Sequence, residues 1–205
     1  MPMTTNYENI VRQNLSALFS LLPDDLEQNL PAVRKGDSFL FRAFGEECCL
    51  APDGITLSGR EDHGPRGLIV SLYGIHAKAD PLELQPFKSF KDFPGSAPYH
   101  GAFSVNSERV LVPHVVRVKE ATDVFLKAFH GDPSQEGLGG DFSFLLYPLP
   151  KIALGYVFYL ADDDFPASVT CLFSANAQSF MPLDGLADVA EYTSKAIIRL
   201  IERPA

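Results

Sequence analysis

Apolar residues recur at helical intervals near the start of the chain: Ile10, Val11, Leu15, Leu18, Phe19 and Leu22 share one face. Thr5 and Glu8 stand ahead of that stripe with capping-box spacing, and Pro23 stops it. The acidic stretch PDDLEQNLPAV leaves room for one more helical turn. The period then changes. FLFRAF (39–44), ECCLA (47–51) and ITLSG (55–59) predict three short strands in an antiparallel meander. Pro52-Asp53-Gly54 supplies one of its turns, proline presetting one φ and glycine tolerating a positive one.

GREDHGP (59–65) predicts a loop, and Leu68, Ile69, Leu72, Tyr73 and His76 fall on a helical stripe after it. Gly67 and Gly74 weaken that helix, since each costs about 1 kcal/mol relative to alanine. The proline-rich segment 81–103 predicts a surface connection, too long to lack order throughout. Val115, Val118, Thr122, Phe125 and Phe129 predict a helix over 114–130, and the glycine-rich stretch 130–141 breaks it. FSFLLYPL (142–149), IALGYVFYLA (152–161) and SVTCLFSA (168–175) predict three strands. A last helix opens near Asp184 with Leu186, Val189, Ala190, Ile197, Leu200 and Ile201 on its core face, and Pro204 closes the chain. No repeat or composition shift divides the chain. The pattern therefore predicts one α+β domain over residues 1–205, with a mostly antiparallel sheet, helices packed on one face, and helices at both ends.

With 205 residues, 46% apolar and 21% charged, the chain has the balance of a globular protein able to bury a core. Sixteen Phe and seven Tyr against no Trp predict a phenylalanine-built interior. The net charge of −9, with no basic run, opposes binding to nucleic acid or to an anionic membrane surface. The longest apolar stretch covers about ten residues, too few to span a bilayer, and the N-terminus has no signal-peptide pattern. A cytoplasmic protein is expected. Cys48, Cys49 and Cys171 have no metal-site spacing and read as reduced thiols; the glutamates beside the first two should raise their pKa values.

Candidate chemistry is sparse. Asp162-Asp163-Asp164 stand between two strands and ahead of Phe165-Pro166. Successive strand residues face opposite ways, so three aspartates converge only if the backbone turns. A solvated hairpin turn accounts for them; the alternative is that Asp162 or Asp164 binds a ligand or cation, or that crowding raises one carboxyl pKa for acid–base work. Tyr99 and His100 sit among small residues in GSAPYHGAF, where a ligand can approach closely and histidine can move protons. None of the five histidines has HxH or HExxH spacing, no GxSxG is present, and GLGGD (137–141) leads into a strand where phosphate loops lead into a helix. No catalytic residue and no metal ligand is assigned.

Ser89-Phe90-Lys91 and Tyr99, then Pro150, the acidic turn Asp162 to Pro166, and Leu172-Phe173 resemble, in that order, the signature of the domain-of-unknown-function family 3786. The resemblance runs over about residues 66–200 and is densest over 140–175. It implies an uncharacterised bacterial or archaeal protein. Some members carry an added cysteine-rich iron–sulfur segment, absent here, and come from anaerobes. That implies a role near corrinoid or redox metabolism. Three functions are then open. One is a non-catalytic module that binds a small ligand or a corrinoid, tetrapyrrole or metal-centred cofactor, with Tyr99, His100, Asp162 and Asp164 as candidate contacts and the aromatics forming an apolar pocket. The second is an acid–base enzyme using Asp162, Asp164 and His100. The third is a protein-interaction module.

Overall fold

The computed structural model describes residues 6–133 and 137–202. Thr5, half of the expected capping box, lies outside them, as does Pro204. Helix α1 (Asn6–Ser20) buries Val11, Leu15 and Leu18, and α2 (Leu26–Asn29) is the single expected turn. A meander follows: β1 (Val33–Lys35), β2 (Ser38–Ala43), β3 (Glu46–Ala51), β4 (Gly54–Leu57) and β5 (Arg60–Glu61), each antiparallel to the next. The short outer strands β1 and β5 carry no buried residue, which is why period alone does not reveal them.

Along β2 the side chains of Phe39, Phe41 and Ala43 point inward, and Leu50, Ile55 and Leu57 join them from β3 and β4. This face packs on α1 and on α3 (Pro65–His76); Phe19 meets Phe39 at 6.3 Å between ring centres, and Phe41 meets Tyr73 at 6.0 Å. The β2–β3 and β4–β5 connections each place two residues at positive φ, Phe44 (53°) with Gly45 (78°) and Ser58 (49°) with Gly59 (73°). Two-residue hairpins favour that conformation because its twist matches the strands. Gly54 differs from expectation: it has no positive φ and starts β4 opposite Ala51, so Pro52-Asp53 alone make the turn.

The proline-rich connection is ordered. It forms β6 (Lys88–Ser89), a 3₁₀ turn over Phe90–Asp92 closed by a Ser89/Asp92 capping box, and α4 (His100–Phe103). Helical turns continue through Ser104–His114, including a π-helical turn at Ser104–Glu108. The helix expected over 114–130 divides at Ala121 into α5 (Val115–Glu120) and α6 (Thr122–Phe129). Then come β7 (Phe142–Leu149), β8 (Ile152–Tyr159), β9 (Ser168–Phe173) and α7 (Leu183–Glu202).

The fold is α+β with antiparallel strands, in two sheets: the meander, and a second sheet in the order β6-β9-β8-β7. Strand β8 is central and buried from Ile152 to Phe158, which explains its unbroken apolar run. Helix α7 lies against it, with Tyr156 Oη 3.0 Å from Ser194 Oγ. Phe90, Phe93, Phe103 and Phe173 pack together, Phe90 and Phe103 stacked at 4.2 Å. The Phe44 N–H donates to Pro148 O at 2.7 Å and joins one sheet to the other. Both sheets share one hydrophobic core.

Candidate functional site

The residues singled out in the sequence fall in two places. Asp162 closes its own turn: its Oδ1 accepts the Asp164 N–H at 2.9 Å and the Phe165 N–H at 2.7 Å, and its N–H donates to Phe165 O at 3.0 Å. Residues 161–166 are all exposed. Aspartate suits this position because its short side chain satisfies backbone donors that the hairpin leaves open. Tyr99 and His100 are exposed at the start of α4, their N–H groups donating to the carbonyl of Ser96. Among the described residues no hydrogen bond or ion pair joins this pair to the aspartate turn.

Near His100 stands Glu108, the last residue of the π-helical turn. Its Oε1 accepts the Cys171 N–H at 3.2 Å, on the stretch of β9 edge that two-residue β6 leaves uncovered. Burial raises the Glu108 pKa, against the Cys171 and Ser104 hydrogen bonds and the charges of His100 and Arg109. Beneath it the Ser194 hydroxyl donates to Ser107 O at 2.7 Å, and burial pushes the Tyr156 hydroxyl and the Cys171 thiol well up. Packed and inaccessible, this layer ties α7 to the second sheet. All three cysteines are free; Cys48 and Cys171 are buried, and burial raises Cys48 first, with Cys49, Asp62 and Glu46 adding to it. Among the described residues no group of three or more His, Cys, Asp or Glu side chains is placed to hold a metal ion. No helix among them is long and apolar enough to cross a membrane.

A concavity lies elsewhere. A cleft of about 710 Å³ opens between the β2–β3 and β4–β5 hairpin tips and the last turns of α6 and α7. Two other depressions measure about 470 and 450 Å³. Arg60, Arg66 and Arg199 line the cleft together with Glu46, Glu61 and Asp62. Local structure builds this wall. Asp62 precedes α3 and its Oδ1 accepts the N–H groups of Gly64 (3.0 Å) and Gly67 (3.1 Å), satisfying donors that the helix start leaves open. Its Oδ2 holds Arg66 Nη2 at 2.9 Å, and Arg66 Nη1 reaches Glu46 Oε1 at 2.5 Å. Gly67 is required there, because a Cβ would strike the Asp62 carbonyl. Arg42 ties the β2–β3 tip to α6 by donating to Gly45 O and Ala128 O.

Each carboxylate in the wall thus has a partner: Arg66 for Glu46 and Asp62, and the His63 ring for Glu61 at 2.9 Å. The sequence did not mark these residues. GREDHGP reads as a loop, and the one local signal was the four-residue spacing of Asp62 and Arg66, which suits an ion pair at a helix start.

Two antiparallel sheets with a charged cleft between the meander and the helices of the second sheet define an α+β protein with a polar surface cleft. The chain belongs to the family described as Domain of unknown function (DUF3786), whose model matches residues 22–196. No curated protein and no solved structure matches it.

Proposed function

We propose that this chain is a non-catalytic small-ligand-binding protein and that the cleft walled by Arg60, Arg66 and Arg199 is its site. The cleft itself is the observation that carries this reading: about 710 Å³ is within the range of small-molecule sites, roughly 300–1,000 Å³. Binding is favoured over acid–base catalysis because Glu46 and Asp62 are engaged by Arg66 and Glu61 by the His63 ring. A polar ligand is favoured over a flat apolar macrocycle, since charged side chains line the walls while the buried aromatics stack on one another in the core. Three unpaired cysteines favour the cytoplasm as its compartment.

The test has two parts: native against denatured mass of the purified protein, and a thermal-unfolding screen against small polar metabolites. A ligand that binds only the native state raises Tm by mass action. Ala128→Phe and Leu200→Trp fill the cleft from two different helices and should abolish both the excess mass and the Tm gain. Ligand signals that persist in both variants would refute the site. A protein with neither retained mass nor any stabilising compound would refute the binding role.

A further inference from the structure

Three arginines and three carboxylates line the cleft, and its ion pairs engage the arginines unequally. Arg66 is held by both Glu46 and Asp62, and Glu61 Oε2 lies 2.9 Å from His63 Nε2. Two guanidinium groups remain. Among the described residues the Arg60 guanidinium has no hydrogen bond or ion pair. Arg199 uses only its Nε, donating to Lys195 O at 3.3 Å, and Lys195, a second cation, is near enough for the two charges to repel. Both arginines are exposed and line the same cleft, Arg60 from the β4–β5 tip and Arg199 from the end of α7. These two guanidinium groups without a carboxylate partner occur in a chain of net charge −9.

Unpaired guanidinium forks match the geometry of carboxylate and phosphate oxygens, which accept two parallel N–H donors. We infer that the cleft takes an anionic small molecule, carboxylate- or phosphate-bearing, with Arg60 and Arg199 gripping its charged group. The inference rests on the cleft being the binding site and adds the ligand's class. Arg66, held in place by two carboxylates, is not free to join them.

The experiment titrates full-length protein with inorganic phosphate, pyrophosphate and citrate, at constant ionic strength set with chloride, read by calorimetry. The same titrations are run on Arg60→Ala, Arg199→Ala, the double variant and Ala128→Phe. Because Arg60 makes no hydrogen bond or ion pair among the described residues and Arg199 only one long, exposed bond within its own helix, the arginine variants should keep the parent's circular dichroism and Tm. At least one anion should bind the parent and weaken at least tenfold in the double variant and in Ala128→Phe. Citrate binding without phosphate would identify a carboxylate ligand, and the converse a phosphate one. Anion binding that survives the double variant would overturn the inference, and so would a parent that binds none of the three at millimolar concentration. The cleft reading fails separately: a neutral or cationic compound whose Tm gain is lost in Ala128→Phe would keep the site and discard the anion.

Discussion

Asp188 on α7 allows a test in which structure, charge and pH are tied together. Burial raises its carboxyl pKa from the ordinary 3.8 to about 6; Glu191 and Asp184 push the same way, and Lys195 opposes them. A carboxyl raised in the native state favours folding while protonated. Its contribution is complete below the unfolded value near 4 and is lost as pH rises through about 6. Above that, ionised Asp188 weakens the fold. At about 1.36 kcal/mol per tenfold change in acidity the whole displacement corresponds to about 3 kcal/mol. The side chain is only half-buried, and water screening reduces this to about 1 kcal/mol. Asp188→Asn should therefore match the parent below pH 4 and exceed it by about 1 kcal/mol above pH 7. In urea this is a midpoint gain of about 0.3–0.5 M at the slopes usual for small proteins. Circular dichroism is the appropriate probe, since the chain has no tryptophan. A difference that is the same at every pH, or an asparagine variant weaker than the parent at pH 7.5, would refute the reasoning.

Other outcomes are expected from packing and turn chemistry. Phe90→Ala removes a fully buried ring from the four-phenylalanine cluster and should cost about 3–5 kcal/mol in chemical denaturation. Gly67→Ala should destabilise by several times the usual helix-interior effect of about 1 kcal/mol, because the added methyl meets the Asp62 carbonyl; a change within that ordinary range would show that the loop yields. Asp162→Ala should cost about 1 kcal/mol by freeing two backbone donors, whereas Asp164→Asn, whose side chain is exposed, should be silent in the same unfolding assay. A thiol reagent should modify Cys49 in the folded protein, and Cys48 and Cys171 only after unfolding, read by mass.

The fold was legible wherever burial imposes a period. Strands β2, β3, β4, β7, β8 and β9 and helices α1, α3 and α7 all bury a regular face, and the sequence marks each of them. Where burial is absent the signal fails: β1 and β5 are fully exposed. The break at Ala121 is a further case, since Val118, Phe125 and Phe129 keep one buried face across it. The division into two sheets depends on which strands pair, and alternation within a strand carries no record of its partner. The acidic turn was correctly placed between two strands. The cleft was not legible, because its walls come from residues far apart in sequence, from Glu46 to Arg199, each ordinary on its own.

Glu108 also bears on how the molecule behaves in company. An uncovered strand edge is a template on which a second chain can add its own strand. On β9 the edge beyond β6 is occupied by a side chain already holding the Cys171 N–H, and a carboxylate offers an incoming backbone no matching ladder. The protein thus blocks the β9 edge beyond β6 with one residue placed by an irregular helical turn, where a longer strand would otherwise be needed.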